Sequence, residues 1–182
     1  MMHLSDLLPA AHPLAADPVV TGLAIDNRKI GAGNLFGAFV GERVNGEDFI
    51  PAAIAAGASV IVARPEATVN GAVHIASNNP RQLFAHMAAK YFRHFPAHIA
   101  AVTGTNGKTS TVELTRQLWR MAGLRAASIG TLGVTTSDES VSTGLTSPDI
   151  VTFLSNLTGL SREGVTHVAF EASSHGLSQF RS

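Results

Sequence analysis

Ile99-Ala100-Ala101-Val102-Thr103-Gly104-Thr105-Asn106-Gly107-Lys108-Thr109-Ser110 is the stretch that decides the fold. Its apolar start reads as a buried strand and its middle as a glycine-rich turn. Lys108-Thr109 then opens a helical pattern with inward positions at Val112, Thr115, Leu118, Trp119 and Ala122. A strand that runs through such a turn into a helix builds an anion site, because the turn's amides point inward and the helix dipole adds partial positive charge at the same place. Lys108 then reaches the terminal phosphates of a nucleotide, and Thr109 offers its hydroxyl to Mg²⁺. The segment is a short variant of the phosphate-binding loop, since Val102 stands where the pattern G-x-x-x-x-G-K-[ST] has its first glycine. An ordinary turn, with glycines present only to permit positive φ, leaves Gly-Lys-Thr at the helix start unexplained. The motif alone admits ATP or GTP.

Upstream of the loop, residues 1–95 alternate strands and helices. Strands are expected at 21–26 and 35–40, separated by the turn Gly31-Ala32-Gly33-Asn34. After a loop at 41–46, a helix over 48–56 turns Phe49, Ile50, Ala53 and Ile54 inward. Apolar strands follow at 59–63 and 73–76. Asn79 caps a long helix that has Pro80 at its first position and Leu83, Phe84, Met87, Ala88, Tyr91 and Phe92 as its core stripe. Phe95-Pro96 ends that helix and sets the expected boundary between domains 1–95 and 96–182.

Downstream, a strand over 126–129 leads into a glycine-punctuated hairpin over 130–143. Ser147-Pro148-Asp149 starts a helix whose inner face is Phe153, Leu154, Leu157 and Leu160, and a strand over 167–170 ends in Glu171. The alternation argues for an α/β fold with a mainly parallel sheet, in which ligands collect at the carboxyl ends of strands. Glu171 falls at such an end. There it either holds Mg²⁺ or caps a helix opening at Ser173-Ser174. The second domain reads as having three or four strands and stops at Arg181-Ser182 without a closing element, as an interrupted domain would.

Thirteen basic residues against 13 acidic ones give no net charge and no footprint for nucleic acid or a membrane surface. Cysteine is absent, which excludes disulfides and thiolate chemistry. The first residues lack the basic start and apolar core of a signal peptide, and no apolar run approaches a bilayer span, so a soluble cytoplasmic protein is expected. Eight histidines are scattered, and Pro96 splits the close pair His94 and His98, which argues against a histidine metal site.

Together these segments resemble the Mur ligases of bacterial cell-wall synthesis. Thr103-Gly104-Thr105-Asn106-Gly107-Lys108-Thr109 is similar to that family's ATP loop, which folylpolyglutamate synthases share. Asp26-Asn27-Arg28, Gly33-Asn34-Leu35-Phe36-Gly37-Ala38, Gly41, Gly46 and Phe49-Ile50 resemble the uridine-binding domain of the third and fourth ligases of the pathway. Leu145-Thr146-Ser147-Pro148-Asp149 resembles a substrate loop. Glu171-Ala172-Ser173-Ser174-His175-Gly176-Leu177, with Gln179 and Arg181, resembles a signature of the third ligase, the branch that adds a diamino acid. The departures are Asn27 for a usual Ser, Ser147 for Thr and Ala172 for Val.

The resemblance implies a small N-terminal α/β uridine-binding domain followed by the start of a P-loop-type central ATPase domain. It implies an ATP-dependent ligase, monomeric and Mg²⁺-dependent, that adds meso-diaminopimelate or L-lysine to UDP-MurNAc-L-Ala-D-Glu through an acyl phosphate. By the same resemblance Gly104, Thr105, Asn106, Gly107, Lys108, Thr109 and Ser110 hold ATP, and Lys108 and Glu171 are catalytic. Thr109 and Glu171 contact the metal. Ile25, Asn27, Glu42, Arg43 and Val44 line the uridine and diphosphate end of the substrate, and Thr146, Ser147, Ser173, Gln179 and Arg181 the muramoyl-dipeptide end. It also implies a longer central domain with a modified lysine and a third domain for the amino acid, so the 182 residues alone are expected not to ligate. A folylpolyglutamate-synthase-like ligase and a non-catalytic nucleotide- or UDP-sugar-binding module remain as alternatives.

Overall fold

The computed structural model describes residues 1–9, 12, 14–41, 44–136, 140–141 and 149–173. The chain divides into two compact units, Met1–Tyr91 and Phe92–Ser182.

In the first unit, β1 (Met2–His3) and β2 (Val19–Val20) pair antiparallel, and α1 (Leu4–Leu7) buries Leu4 and Leu7 beside them. The main sheet is four parallel strands in sequence order, β3 (Leu23–Ala24), β4 (Leu35–Gly37), β5 (Val60–Ala63) and β6 (Val73–Ala76). All four residues of β5 are buried, as a continuous apolar run in a sheet covered on both faces requires. The expected strand at 21–26 keeps a ladder only at Leu23 and Ala24, because Asp26 turns the chain by accepting the Arg28 N–H at 3.0 Å. The strand expected at 35–40 stops at Gly37, and Val40 makes only an isolated bridge to Asn45.

The helix expected over 48–56 is shorter. Gly46–Phe49 winds as a 3-10 turn, with the Asn45 side chain accepting from Glu47 N–H, and α2 (Ile50–Ala55) follows it. The tighter winding carries Phe49 outward to 38% exposure, whereas Ile50 and Ala53 join Ala24, Phe36 and Ile61 in the core. In α3 (Pro80–Phe92), Phe84, Met87 and Ala88 are buried, while Leu83, Tyr91 and Phe92 are half-buried. Asn79 accepts from Gln82 N–H, and Phe84 meets Phe39 edge-on at 5.4 Å. The helix ends at Phe92, three residues before Phe95, and Arg93 at φ +28° turns the chain out of it.

The second unit contains β7 (His98–Val102), α4 (Lys108–Met121), β8 (Ala126–Gly130), β9 (Gly133–Thr135), β10 (Ser140–Val141), α5 (Ile150–Arg162) and β11 (His167–Glu171). Its sheet order is β10-β9-β8-β11-β7. The strands β8, β11 and β7 are parallel; β9 and β10 extend them antiparallel. Among the described residues the sheet has five strands rather than three or four, because both arms of the hairpin join it. Asp149 caps α5 by accepting from Thr152 N–H at 3.0 Å, and Phe153, Leu154, Leu157 and Leu160 are all buried. The rest of the expected helix start, Ser147 and Pro148, lies outside the described residues.

Two expectations for this unit change. The strand β7 lies at the edge of the described sheet with β11 as its neighbour, so Ile99 is 42% exposed rather than buried. On α4, Leu118 is 63% exposed and Ala122 is exposed, while Val112 and Arg116 are buried. The cause is Arg116. Its guanidinium pairs with Glu113 and donates to the Thr136 carbonyl, and Ser128 donates to the same Glu113 carboxylate. That network fills the seam between helix and sheet and rotates Leu118 outward. At the opposite end of the strands from the loop, His98 and His167 stack at 4.3 Å, with Trp119 5.1 Å from His167. No helix among the described residues is long and apolar enough to cross a membrane.

Candidate nucleotide and metal site

The strand β7 ends at Val102, and the glycine turn begins at once. Gly107 has φ +78° and stands directly before the first residue of α4, a left-handed position that a side chain would strain. With no side chain to cap the helix, Gly107 leaves the first-turn amides available to an anion. Gly104 is also at positive φ, +148°. Lys108 is half-buried and bends back over the turn, its Nζ donating to the Gly104 carbonyl at 2.6 Å. Thr109 is half-buried in the first helical turn, and Gly104, Thr105, Asn106, Gly107 and Ser110 are exposed. An amine, open first-turn amides and a hydroxyl therefore lie together on one turn.

Glu171 stands beside it. The register pairs Glu171 with Val102, and the next amide, Ala172 N–H, donates to the Val102 carbonyl at 2.9 Å. The carboxylate is thus level with the point where the loop leaves the sheet. Glu171 is only 7% exposed, and the described partners of its carboxylate are both on Thr131. It lines a narrow cleft with Thr109, Glu113, Ser128 and Gly130. The donor set facing that cleft includes a hydroxyl and a carboxylate, hard oxygens of the kind Mg²⁺ takes. Glu113 belongs to the same cleft, but Arg116 engages it and holds its carboxyl down at about 2. Glu171 is therefore the carboxylate of the pair that suits a metal, with Thr109 as its companion.

The other residues singled out in the sequence are distributed between the units. Ile25 and Asn27 are half-buried in the first unit, and Asn27 opens the 3-10 turn Asn27–Lys29. Val44 is 57% exposed, and its carbonyl accepts from Gly41 N–H at 3.0 Å. Ser173, in the second unit, is half-buried two positions beyond Glu171. Glu42, Arg43, Thr146, Ser147, Gln179 and Arg181 lie outside the described residues.

Three features went unread in the sequence. Gly130-Thr131 read as hairpin punctuation, yet it seats Glu171. The Glu113/Arg116 pair carried a signal in its i,i+3 spacing on a helix. Arg81 lies 5.0 Å over the Phe39 ring and donates to the Val40 carbonyl at 3.2 Å, bracing the strand end that leads to Gly41. Nothing in its local sequence marks it.

Two family models match the chain in tandem: "Mur ligase family, catalytic domain" over residues 19–108 and "Mur ligase middle domain" over residues 102–182. The chain belongs to the Mur ligase family. It is 59% identical, over 93% of its length, to the UDP-N-acetylmuramoyl-L-alanyl-D-glutamate–2,6-diaminopimelate ligase of Zymomonas mobilis, and covers 35% of that protein. To the ligase of the same name from Bradyrhizobium diazoefficiens it is 46% identical over 99% of its length, covering 38% of that protein. A solved structure of a ligase with this name matches 99% of the chain with a TM-score of 0.81 at 28% identity, and 37% of that structure is covered. The chain thus spans little more than a third of the length of the curated relatives it matches.

Proposed function

We infer that this chain is the UDP-substrate-binding and ATP-binding portion of a Mur ligase that adds 2,6-diaminopimelate, the amino acid in the names of its relatives, to UDP-MurNAc-L-Ala-D-Glu. One observation carries the ATP half of this reading: the glycine turn of Lys108 and Thr109 opens directly beside the buried Glu171, on neighbouring parallel strands. The 59% identity of the Zymomonas relative supports the choice of branch over a folylpolyglutamate-type ligase. We also place the protein in the cytoplasm. We assign residues 1–95 to the UDP-sugar and 96–182 to ATP.

The chemistry to be served is amide formation from a carboxylate, a poor electrophile. The D-glutamyl carboxylate takes the γ-phosphoryl group of ATP, ADP leaves, and the acyl phosphate so formed is attacked by the incoming amine. Phosphate departs, the amine loses a proton, and the amide remains. Negative charge gathers on the transferring phosphoryl group. Lys108 and the loop amides would meet that charge, and donors held on one turn need little reorganisation as it develops. Thr109 and Glu171 would hold Mg²⁺, which when bound neutralises charge on the phosphate oxygens. Ile25, Asn27, Glu42, Arg43 and Val44 would take the uridine end, and Thr146, Ser147, Ser173, Gln179 and Arg181 the peptide end.

Calorimetry on the chain with UDP-MurNAc-L-Ala-D-Glu, UDP-N-acetylglucosamine and a dihydrofolate tests the substrate assignment. Preference for the UDP-dipeptide is the expected result. Binding of the folate, or equal affinity for both UDP-sugars, would overturn it.

A further inference from the structure

Glu171 is seated as well as buried. The turn at 130–133 joins β8 to β9, and its first two residues form a cradle for the carboxylate. Thr131 N–H donates to Oε1 at 2.9 Å, and the Thr131 hydroxyl lies 3.2 Å from Oε1 and 3.1 Å from Oε2. Gly130 makes the room: a Cβ there would overlap the carboxylate oxygen and stand 2.8 Å from Glu171 Cγ and Cδ. Thr131 and Glu171 are 40 positions apart in the chain, so the seat exists only because β8 and β11 are neighbours.

The partners on Thr131 are neutral. They orient the carboxylate without bringing an opposite charge against it, and among the described residues they fill only part of its lone-pair capacity, since a carboxylate has about four acceptor positions. The hairpin is in turn tied to the helix that carries Thr109. Ser128 donates to Glu113 at 3.3 Å, and Arg116 donates to the Thr136 carbonyl at 3.3 Å, both across to α4. Thr109 and the seat of Glu171 therefore share one frame.

The geometry points to Thr131 as a positioning residue that, in the space left by Gly130, holds the Glu171 carboxylate where it meets the divalent cation of a nucleotide bound on Thr109. This rests on the reading of the loop as an ATP site. Partners that orient a metal ligand typically matter 10–100-fold in metal affinity, about the effect to look for here.

The test uses the 182-residue chain with ATP, Mn²⁺ in place of Mg²⁺, and electron paramagnetic resonance to count free Mn²⁺. Thr131→Val keeps the shape and the backbone amide but removes the hydroxyl. It is expected to weaken Mn²⁺ binding by about tenfold or more, while Thr131→Ser stays close to the parent. ATP affinity in EDTA, which reports the loop alone, is expected to be unchanged in Thr131→Val. Gly130→Ala, which pushes the carboxylate off its seat, is expected to show the same metal-specific loss and decides the matter if Thr131→Val does not fold. Parent-like Mn²⁺ binding in Thr131→Val and Gly130→Ala, alongside loss in Glu171→Gln, would overturn the role of Thr131 and leave Glu171 as a ligand. Parent-like binding in Glu171→Gln as well would overturn the metal assignment and this inference with it. Absence of ATP binding in EDTA and with metal would overturn the nucleotide reading on which both stand.

Discussion

Val102 and Glu171 are register partners on adjacent parallel strands, so the last residue before the glycine turn and the buried carboxylate end their strands at the same level. Everything proposed for the site follows from that pairing. It sets a buried carboxyl group beside a helix N-terminus, although the two are far apart in sequence.

Removing the Lys108 amine should show in nucleotide affinity first. Lys108→Ala is expected to weaken ATP binding roughly 10- to 100-fold, the worth of a charged hydrogen bond of about 1.5–3 kcal/mol. In a ligase with the full length of the relatives, turnover should fall by roughly 10²–10³, as on loss of one preorganised donor. Near-normal values would mean that Lys108 does not sit on the phosphates.

The pair of half-buried Glu113 and buried Arg116 makes stability depend on acid. Hydrogen bonding from Arg116 lowers the Glu113 carboxyl from 4.5 to about 2 in the folded chain. A carboxyl depressed by folding stabilises the fold above its unfolded value and loses that contribution as pH falls toward its folded one. Glu113→Gln should therefore melt below the parent at pH 7, and the gap should close between about pH 4.5 and 2. A gap independent of pH would show that the pair contributes by packing alone.

Which face of α4 is covered can be read by truncation. Leu118→Ala, at a position 63% exposed, is expected to change stability by less than about 0.5 kcal/mol. Leu157→Ala, on the buried face of α5, should cost about 2–5 kcal/mol. Denaturant titration of both variants checks the contrast, and a large cost at Leu118 would restore the inward position that its spacing predicts.

Gly107→Ala tests the turn. Open space surrounds Gly107, so the expected cost of about 1–2 kcal/mol comes from its φ of +78° and not from a clash. A neutral substitution, measured by thermal melting, would show that the turn relaxes freely.

Much of this structure was legible in the sequence because its signals are local. The strand, turn and helix around Gly104, Gly107 and Lys108 are written in a dozen consecutive residues, and the α5 stripe repeats with an unbroken helical period. The misread parts depend on distant partners. Leu118 has the right spacing to point inward, but Arg116 takes the interior place because Glu113, Ser128 and Thr136 satisfy its charge and hydrogen bonds. Phe49 fails as a core residue because Asn45 tightens the chain before it into a 3-10 turn. The seat of Glu171 on Thr131 depends on strand order, which no local pattern reports.

The central claim is that the loop of Lys108 binds ATP with a divalent cation held at Glu171. Calorimetric titration of the chain with ATP, in Mg²⁺ and in EDTA, tests it most directly when run on the parent, Lys108→Ala and Glu171→Gln. The account predicts one ATP site, weakened by Lys108→Ala in both media and by Glu171→Gln only in Mg²⁺. No binding by the folded parent, or the same affinity in all three proteins, would contradict it.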